Sequence, residues 1–390
     1  MNSATADRLP LAALLALALA GFVTILTEAL PAGLLPQMSA GLGVSEALAG
    51  QLVTIYALGS LLAAIPLIAM TQGIRRRPLL LAAIAGFAIA NTVTTFSTSY
   101  SLTMVARFLA GVAAGLLWAL LAGYAARMVP EHLKGRAIAI AMVGTPLALS
   151  LGVPAGTFLG TLAGWRVCFG IMSLLALLLI VWVRVKVPDF AGQTMGKRLS
   201  LGLVFTLPGI RPVLFVVLAF VLAHNILYTY ITAFLADAGM SERTDLVLLV
   251  FGITALSGIW VIGVLIDRHL RTLTLVSTVL FALAALVLGI AGDIPVAVYS
   301  AVGAWGLAFG GAATLFQTAL AKTAGDASDV AQSMLVTAWN LAIAGGGLVG
   351  AVLLDRYGSV SFSPALLILL IATLLVAGAA RSHGFPASQH

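Results

Sequence analysis

Glu28 is the only carboxylate set well inside a long apolar stretch of this 390-residue chain. An ionised carboxylate in hydrocarbon is costly, and acids so placed mark ion or proton pathways. Changes in its surroundings would switch such a group between protonated and ionised forms. Thr24 lies one helical turn before it on the same face, and Pro31 just beyond it. A permanently paired structural glutamate is the competing reading. Arg107 sits at a comparable depth in another apolar stretch. Arginine stays protonated and only donates, so a buried guanidinium needs a partner. Glu28 is the nearest candidate by depth, against the alternative of an arginine that packs a helix or reaches toward water. Gly111, Gly115 and Trp118 continue the Arg107 face, giving close helix packing and then an aromatic wall.

His224 is the only histidine in an apolar stretch, and His224, Tyr228 and Thr232 recur every four residues as one polar stripe on a helix. Histidine could titrate there or contact a ligand, and a satisfied structural histidine is equally compatible. Asn225, Gln317 and Asn340 are further polar side chains in apolar stretches. Two of the three should face a cavity, because an amide facing lipid would be unsatisfied. Trp118, Trp339 and Tyr56 could stack on a flat ligand, although packing is the commoner use of such rings. Gly144-x-Pro146 and Gly152-x-Pro154-x-Gly156 put two prolines in one helix, removing backbone donors and allowing bends. The sequence has no phosphate-binding glycine loop after a strand and no paired metal ligands, so ATP-driven transport and metallohydrolysis are unsupported. Cys168, the single cysteine, excludes intrachain disulfides and thiolate metal clusters.

The elements that position these residues follow from composition. Hydrophobic residues make up 61% of the chain and charged residues 8%, against roughly a quarter charged in soluble domains. A water-facing surface cannot be built from that remainder, so lipid is the solvent for most of the molecule. Apolar runs of about 20 residues or more, enough to cross a hydrocarbon core of about 30 Å, recur along the whole length. Twelve transmembrane helices are predicted, with a turn at Ser97–Ser101 dividing the long run Pro78–Ala106. Leu199–Ile210 is apolar but too short to span and reads as an interfacial segment. Leu9–Ala20 resembles a signal-peptide core, but more helices follow and no cleavage site opens onto a soluble domain, so its retention is expected.

Basic residues set the orientation. With the N-terminus inside, the cytoplasmic segments hold 16 of the 20 Lys and Arg residues, from Arg8 through the Arg75–Arg77 cluster and Lys197–Arg198 to Arg381. The outer loops hold three, Arg166, Arg243 and Arg356, and Arg107 is left within the membrane. Both termini are therefore expected in the cytoplasm, and the net charge of +7 needs no nucleic acid to explain it. A shift of 195 residues brings the halves into register: Gly111 and Gly115 fall on Gly306 and Gly310, Arg76 on Arg271, Arg127 on Lys322, Glu131 on Asp326 and Gly152 on Gly347. The expected organisation is an N-terminal six-helix bundle (1–183), a cytoplasmic linker with the interfacial segment (184–211) and a C-terminal six-helix bundle (212–390). Parallel six-helix repeats are a transporter architecture.

Four stretches carry a family resemblance: T-E-A-L-P-A-G-L-L-P (Thr27–Pro36) with the following loop Gly43–Gln51, the helix-4 segment Arg107–Ala119, the helix-5 segment Gly152–Gly160 leading to Gly164–Arg166, and G-V-L-I-D-R-H-L-R (Gly263–Arg271). In this order they resemble the major facilitator superfamily over essentially the whole chain. More narrowly they are similar to its twelve-helix drug:proton antiporters, in the branch of nucleoside-efflux, arabinose-efflux-like and chloramphenicol-resistance proteins. The resemblance implies proton coupling through Arg107 and Glu28, an antiporter role for Gly144, Pro146, Gly152, Pro154 and Gly156, and gating by Asp267, Arg268, Arg271 and Arg76. One departure stands out. Gln72 occupies the first-half position where the family has an aspartate, and Asp267 keeps it 195 residues on, so a weakened first-half latch is expected. The combined expectation is proton-coupled export of a small polar or amphipathic molecule such as a nucleoside, sugar or drug. Substrate contacts are expected from His224, Asn225, Tyr228, Gln317, Asn340, Trp118, Trp339 and Tyr56. Uptake by symport or uniport, or less readily a membrane-embedded enzyme, are the alternatives. Protons are the coupling ion, no cofactor or metal is implied, and the expected setting is a monomer among the lipids of a bacterial inner membrane.

Overall fold

Lipid offers a backbone no hydrogen-bonding partner, so the apolar runs close their bonds within themselves as helices. The computed structural model describes residues 9–193 and 200–386; Arg8, Lys197, Arg198 and Leu199 lie outside them. Among the described residues the regular structure is entirely helical. The first half contains α1 (Leu11–Gly33, extended by a short helix Leu35–Leu42), α2 (Glu46–Thr71), α3 (Arg76–Phe96) and α4 (Tyr100–Arg127). Then come α5, built in pieces from Lys134–Met142 to Val153–Ala163, and α6 (Trp165–Lys186). Ser45 and Ser99 cap α2 and α4 by accepting from the amides of Leu48 and Leu102. Ser97 and Ser99 form the turn between α3 and α4.

The second half contains α7 (Ile210–Thr229, resuming at Ile231–Asp237), α10 (Pro295–Gly310, resuming at Ala312–Ala324), α11 (Ser328–Tyr357) and α12 (Phe362–Ala379). Between α7 and α10 lies one helical stretch, Thr244–Ala291, that loses helical geometry at His269 (φ −127°, ψ 27°) and so divides into α8 (244–268) and α9 (270–291). Ten stretches among the described residues are long and apolar enough to cross a membrane, and two of them, 246–291 and 295–357, are long enough for two crossings each. The fold is the twelve-helix one. Large apolar side chains such as Ile89, Phe96, Trp260, Ile290 and Leu375 stand exposed along the helices, as a lipid-solvated surface requires.

The chain forms two compact units, residues 1–203 with 329–337, and 204–328 with 338–390. In the first, α2 packs on α4, α3 on α4 and α6, and α1 on α5 and α6. In the second, α7 packs on α12, and the α8–α9 stretch on α10 and α12. The 195-residue repeat is written into the contacts as well as the sequence. A methyl group on Gly111 would collide with the Tyr56 carbonyl, and one on Gly115 with that of Ser60. In the second unit a methyl on Gly306 would meet the Phe251 carbonyl, and one on Gly310 that of Ala255. Each partner is displaced by the same 195 residues as its glycine. The α2–α4 and α8–α10 crossings are therefore one crossing built twice, with backbones in contact through glycine.

Gly111→Val and Gly306→Val should each lower the melting temperature of the detergent-solubilised protein, at a cost of about 1–3 kcal/mol or more for overpacking against rigid backbone. Gly252 sits in α8 with nothing within 4 Å of an added methyl, so Gly252→Ala should leave the melting temperature unchanged or raise it.

Candidate functional site

Arg107 is 1% exposed, and its guanidinium is held almost wholly by main chain. Nε donates to the Leu52 carbonyl at 3.1 Å, Nη1 to the Thr27 carbonyl, and Nη2 to the Glu28 carbonyl at 3.3 Å. Tyr56 supports it from one side, with the guanidinium carbon 4.8 Å from the ring centre. The Tyr56 hydroxyl in turn donates to the Thr24 carbonyl at 3.1 Å. These contacts correct two expectations. Among the described residues Arg107 makes no ion pair with the Glu28 carboxylate; it meets Glu28 through that residue's own carbonyl, because charge-assisted bonds to α1 carbonyls already satisfy it. Tyr56, 1% exposed, is the floor of the arginine socket rather than a free stacking face. Glu28 is half-buried beside this socket, and Asn91 donates to the Thr27 hydroxyl at 3.0 Å one residue away. Trp118 is half-buried and faces Gly21 of α1.

The two prolines of α5 bracket a change in helix type. Ala148–Gly152, between Pro146 and Pro154, is a single turn of π-helix, the kind of local bulge that recurs at functional positions. The glycines face α1: Gly144 abuts the backbone of Ala18 and Phe22, Gly152 the side chains of Phe22 and Leu26, and Gly156 that of Leu30. These contacts advance along both helices and make one continuous seam, with the π turn lying between Gly144 and Gly156.

At the α2–α3 loop a second buried guanidinium is held differently. Arg76 is 1% exposed; its Nε lies 2.8 Å from the Asp329 carboxylate, and it donates to the carbonyls of Thr71 and Gln72 at 3.2 Å each. Arg127 shares the same carboxylate oxygen at 3.0 Å. Asp329 opens α11, in the segment 329–337 that packs with the first unit. The acid that this loop lacks at Gln72 is thus supplied by another helix, so the first-half latch is charged after all. Sequence reading passed over Asp329 because it stands at the edge of the apolar run 330–354.

Residues 187–193, just after α6, strap this loop. The Arg76 amide donates to the Phe190 carbonyl at 2.9 Å and the Gln193 amide to the Gln72 carbonyl at 2.8 Å. Tyr124 donates to the Pro188 carbonyl at 2.6 Å, and Arg75 pairs with Asp189 at 2.6 Å. Partial desolvation acts to raise the pKa of Asp189. The hydrogen bonds from the Arg75 side chain and the Arg77 amide, with the charges of both arginines, outweigh it and hold this carboxyl below its ordinary 3.8. The repeat carries an echo: Arg271, 195 residues after Arg76, donates to the carbonyl of Phe385, 195 residues after Phe190, at 3.0 Å. It also donates to those of Ala377 and Gly378. Asp267 is half-buried and Arg268 exposed, both just before the α8–α9 break.

In the second unit His224 is 7% exposed and surrounded by rings. Phe309 stacks on it at 3.4 Å and 6°, Tyr228 at 5.1 Å and 23°, with Trp305 at 5.3 Å and Phe251 at 5.8 Å. Trp339 joins through Phe309 at 6.2 Å. The predicted stripe His224, Tyr228, Thr232 is interrupted, because α7 leaves helical geometry at Tyr230 (φ −113°, ψ 20°) before Thr232 is reached. Asn225 donates to the Val221 carbonyl at 2.8 Å; Asn225 and Asn340 are half-buried and Gln317 is buried. Phe251, Trp305 and Phe309 were missed in the sequence, where single aromatics in apolar runs carry no signal. The 195-residue shift of Tyr56 onto Phe251 was the available clue.

A sequence model described as Major Facilitator Superfamily matches residues 17–344. A probable sugar efflux transporter of Mannheimia succiniciproducens is 28% identical over 364 residues, covering 92% of this chain and 91% of that protein. The Pseudomonas aeruginosa protein called transcription regulatory protein OpdE is 30% identical over 375 residues, covering 94% of this chain and 93% of that one. The fold is similar to the crystal structure of the human organic anion transporter MFSD10, with a TM-score of 0.77 at 15% identity, covering 95% of this chain and all of that one.

Two outcomes test the loop cluster. Asp329→Asn leaves two arginines without their shared carboxylate, and loss of one partner from a buried ion pair costs about 3–5 kcal/mol. Adding Gln72→Asp should restore part of the lost melting temperature, since Arg76 already reaches the Gln72 backbone. For Asp189, a depressed pKa means its contribution is fully present above 3.8 and is lost as pH falls through the lower folded value. Proteolytic nicking of the strap should therefore be flat from about pH 5 to about pH 8 and faster throughout that range in Asp189→Asn.

Proposed function

The chain belongs to the major facilitator superfamily and is a multi-pass membrane transporter; from that premise we propose that it exports a small polar or amphipathic organic molecule in exchange for protons. Glu28 is the proton-carrying group and Arg107 the fixed charge beside it. The observation that carries this reading is their joint placement. Among the described residues Glu28 is the only acid more than one turn from the end of a membrane-length helix, and the guanidinium of Arg107 is anchored to its backbone rather than to its carboxylate. A carboxylate locked in an ion pair could not cycle its proton, whereas one held near a fixed charge can change state as its surroundings open and close. Similarity to a probable sugar efflux transporter supports export of a small polar solute. The glycine seam and π turn of α5 support the antiporter reading of that helix.

Alternating access fits two repeated units. Gating is assigned to Arg76, Arg127 and Asp329 at the α2–α3 loop, and to Asp267, Arg268 and Arg271 at the α8–α9 break. Substrate contact is assigned to His224, Tyr228 and Trp339, with Asn225, Gln317, Asn340 and Trp118 as further polar and aromatic contacts. The protein works as a monomer in the bacterial inner membrane with both termini cytoplasmic, uses no cofactor beyond protons, and does no covalent chemistry on its cargo.

Glu28→Gln keeps size and hydrogen-bonding capacity but fixes the group as neutral. In proteoliposomes this variant should still exchange labelled substrate down its gradient, while accumulation driven by a pH gradient disappears. Undiminished pH-driven transport would remove Glu28 from the mechanism.

A further inference from the structure

The two units share a skeleton but fill it differently. His224, Tyr228, Trp305, Phe309 and Trp339 stand 195 residues after Ala29, Gly33, Ala110, Ala114 and Gly144. Five ring positions in the second unit are thus alanine or glycine in the first, around a helix crossing whose backbone contacts match pair for pair. The fold is built in the first unit without these rings, so packing alone does not account for them. Their burial is graded: Trp305 is fully buried, His224 nearly so, Phe251, Phe309 and Trp339 are half-buried, and Tyr228 is 47% exposed. Inside this set the His224 Nδ1 is buried without a hydrogen-bond partner. Such an orphan is unfavourable unless something else comes to satisfy it. The set carries no fixed charge, which suits a neutral ligand, and its faces are near-parallel at His224, which suits a flat one.

We propose that the ring cluster around His224 is a subsite for a flat, unsaturated heterocycle whose edge bears N–H or C=O groups. The ring stacks on the exposed side of the cluster at Tyr228 and Trp339, and its polar edge pairs with the His224 imidazole. A saturated sugar offers a ring face only its C–H groups and has no π system of its own, so the cluster favours the heterocyclic part of a substrate over any sugar attached to it. This deepens the reading of the protein as an exporter and rests on it only for the direction of transport.

The test is binding to the purified full-length protein in nanodiscs, read by quenching of tryptophan fluorescence and checked by calorimetry. The probes are adenosine, uridine, arabinose and tetraethylammonium. Adenosine or uridine should bind, and arabinose and tetraethylammonium should bind at least about tenfold more weakly, the scale of one base–aromatic stack. Tyr228→Ala and Trp339→Ala should each weaken nucleoside binding about tenfold, while Trp339→Phe, which keeps a ring, should weaken it less. His224→Phe keeps the stack and removes the imidazole nitrogen; it should weaken nucleoside binding with an unchanged melting temperature. Binding of arabinose as tight as that of the nucleosides, preference for tetraethylammonium, no nucleoside binding at all, or full nucleoside binding in Tyr228→Ala and Trp339→Ala would each overturn the proposal. Binding that follows these expectations in a protein whose transport ignores a pH gradient would instead sink proton coupling and leave the subsite standing. Proton-driven efflux of arabinose without nucleoside binding would do the reverse.

Discussion

A charged or polar group that lipid surrounds has to find its partners inside the protein, and much of this molecule is arranged around that requirement. Two arginines, Arg76 and Arg107, are each 1% exposed. One is answered by a carboxylate from α11 together with loop carbonyls, the other by carbonyls of α1 and α2 over a tyrosine ring. The difference matters because main-chain acceptors do not titrate. The acceptors of Arg107 are backbone carbonyls, so its anchoring does not depend on the Glu28 side chain. Arg76 is held by the Asp329 carboxylate, which ties the α2–α3 loop to the start of α11.

The same requirement explains the close backbone approaches. With no hydrophobic force between helices in lipid, contact has to come from packing, and glycine allows the tightest packing. The Gly111 and Gly115 crossing in the first unit and the Gly306 and Gly310 crossing in the second are equivalent to the residue. Along α5 the glycine seam against α1 includes a π turn, flanked on either side by a proline that removes an amide from the regular ladder. Duplication supplies the crossings, and divergence supplies the contents: a guanidinium socket in one unit, a ring cluster in the other.

Even the segments beyond the sixth and twelfth helices follow this pattern. Phe190 and Phe385, 195 residues apart, present their carbonyls to Arg76 and Arg271. The first reaches the amide and the second the guanidinium, so the geometry has drifted while the pairing persists. Asp189 strengthens the first strap, and its counterpart is Gly384, which turns the chain with a φ of 95°.

Composition and run length set the membrane and the helix count, because hydrocarbon thickness and backbone hydrogen bonding leave little choice, and the register of glycines and loop charges at 195 residues set the duplication. They also singled out Glu28, Arg107, His224 and the α5 prolines, since polar or ring-locked residues are conspicuous in an apolar run. Partner identity was out of reach of that kind of reading. Matching Arg107 to Glu28 by depth named the right neighbour and the wrong atoms, because a carbonyl is present at every residue and leaves no mark in a sequence. Asp329 drew no notice at the edge of its apolar run, and only folding brought it 2.8 Å from Arg76. The rings around His224 were scattered over α7, α8, α10 and α11, each unremarkable in its own run. Only the packing of those helices, with its separations and tilts, decided that they form one surface.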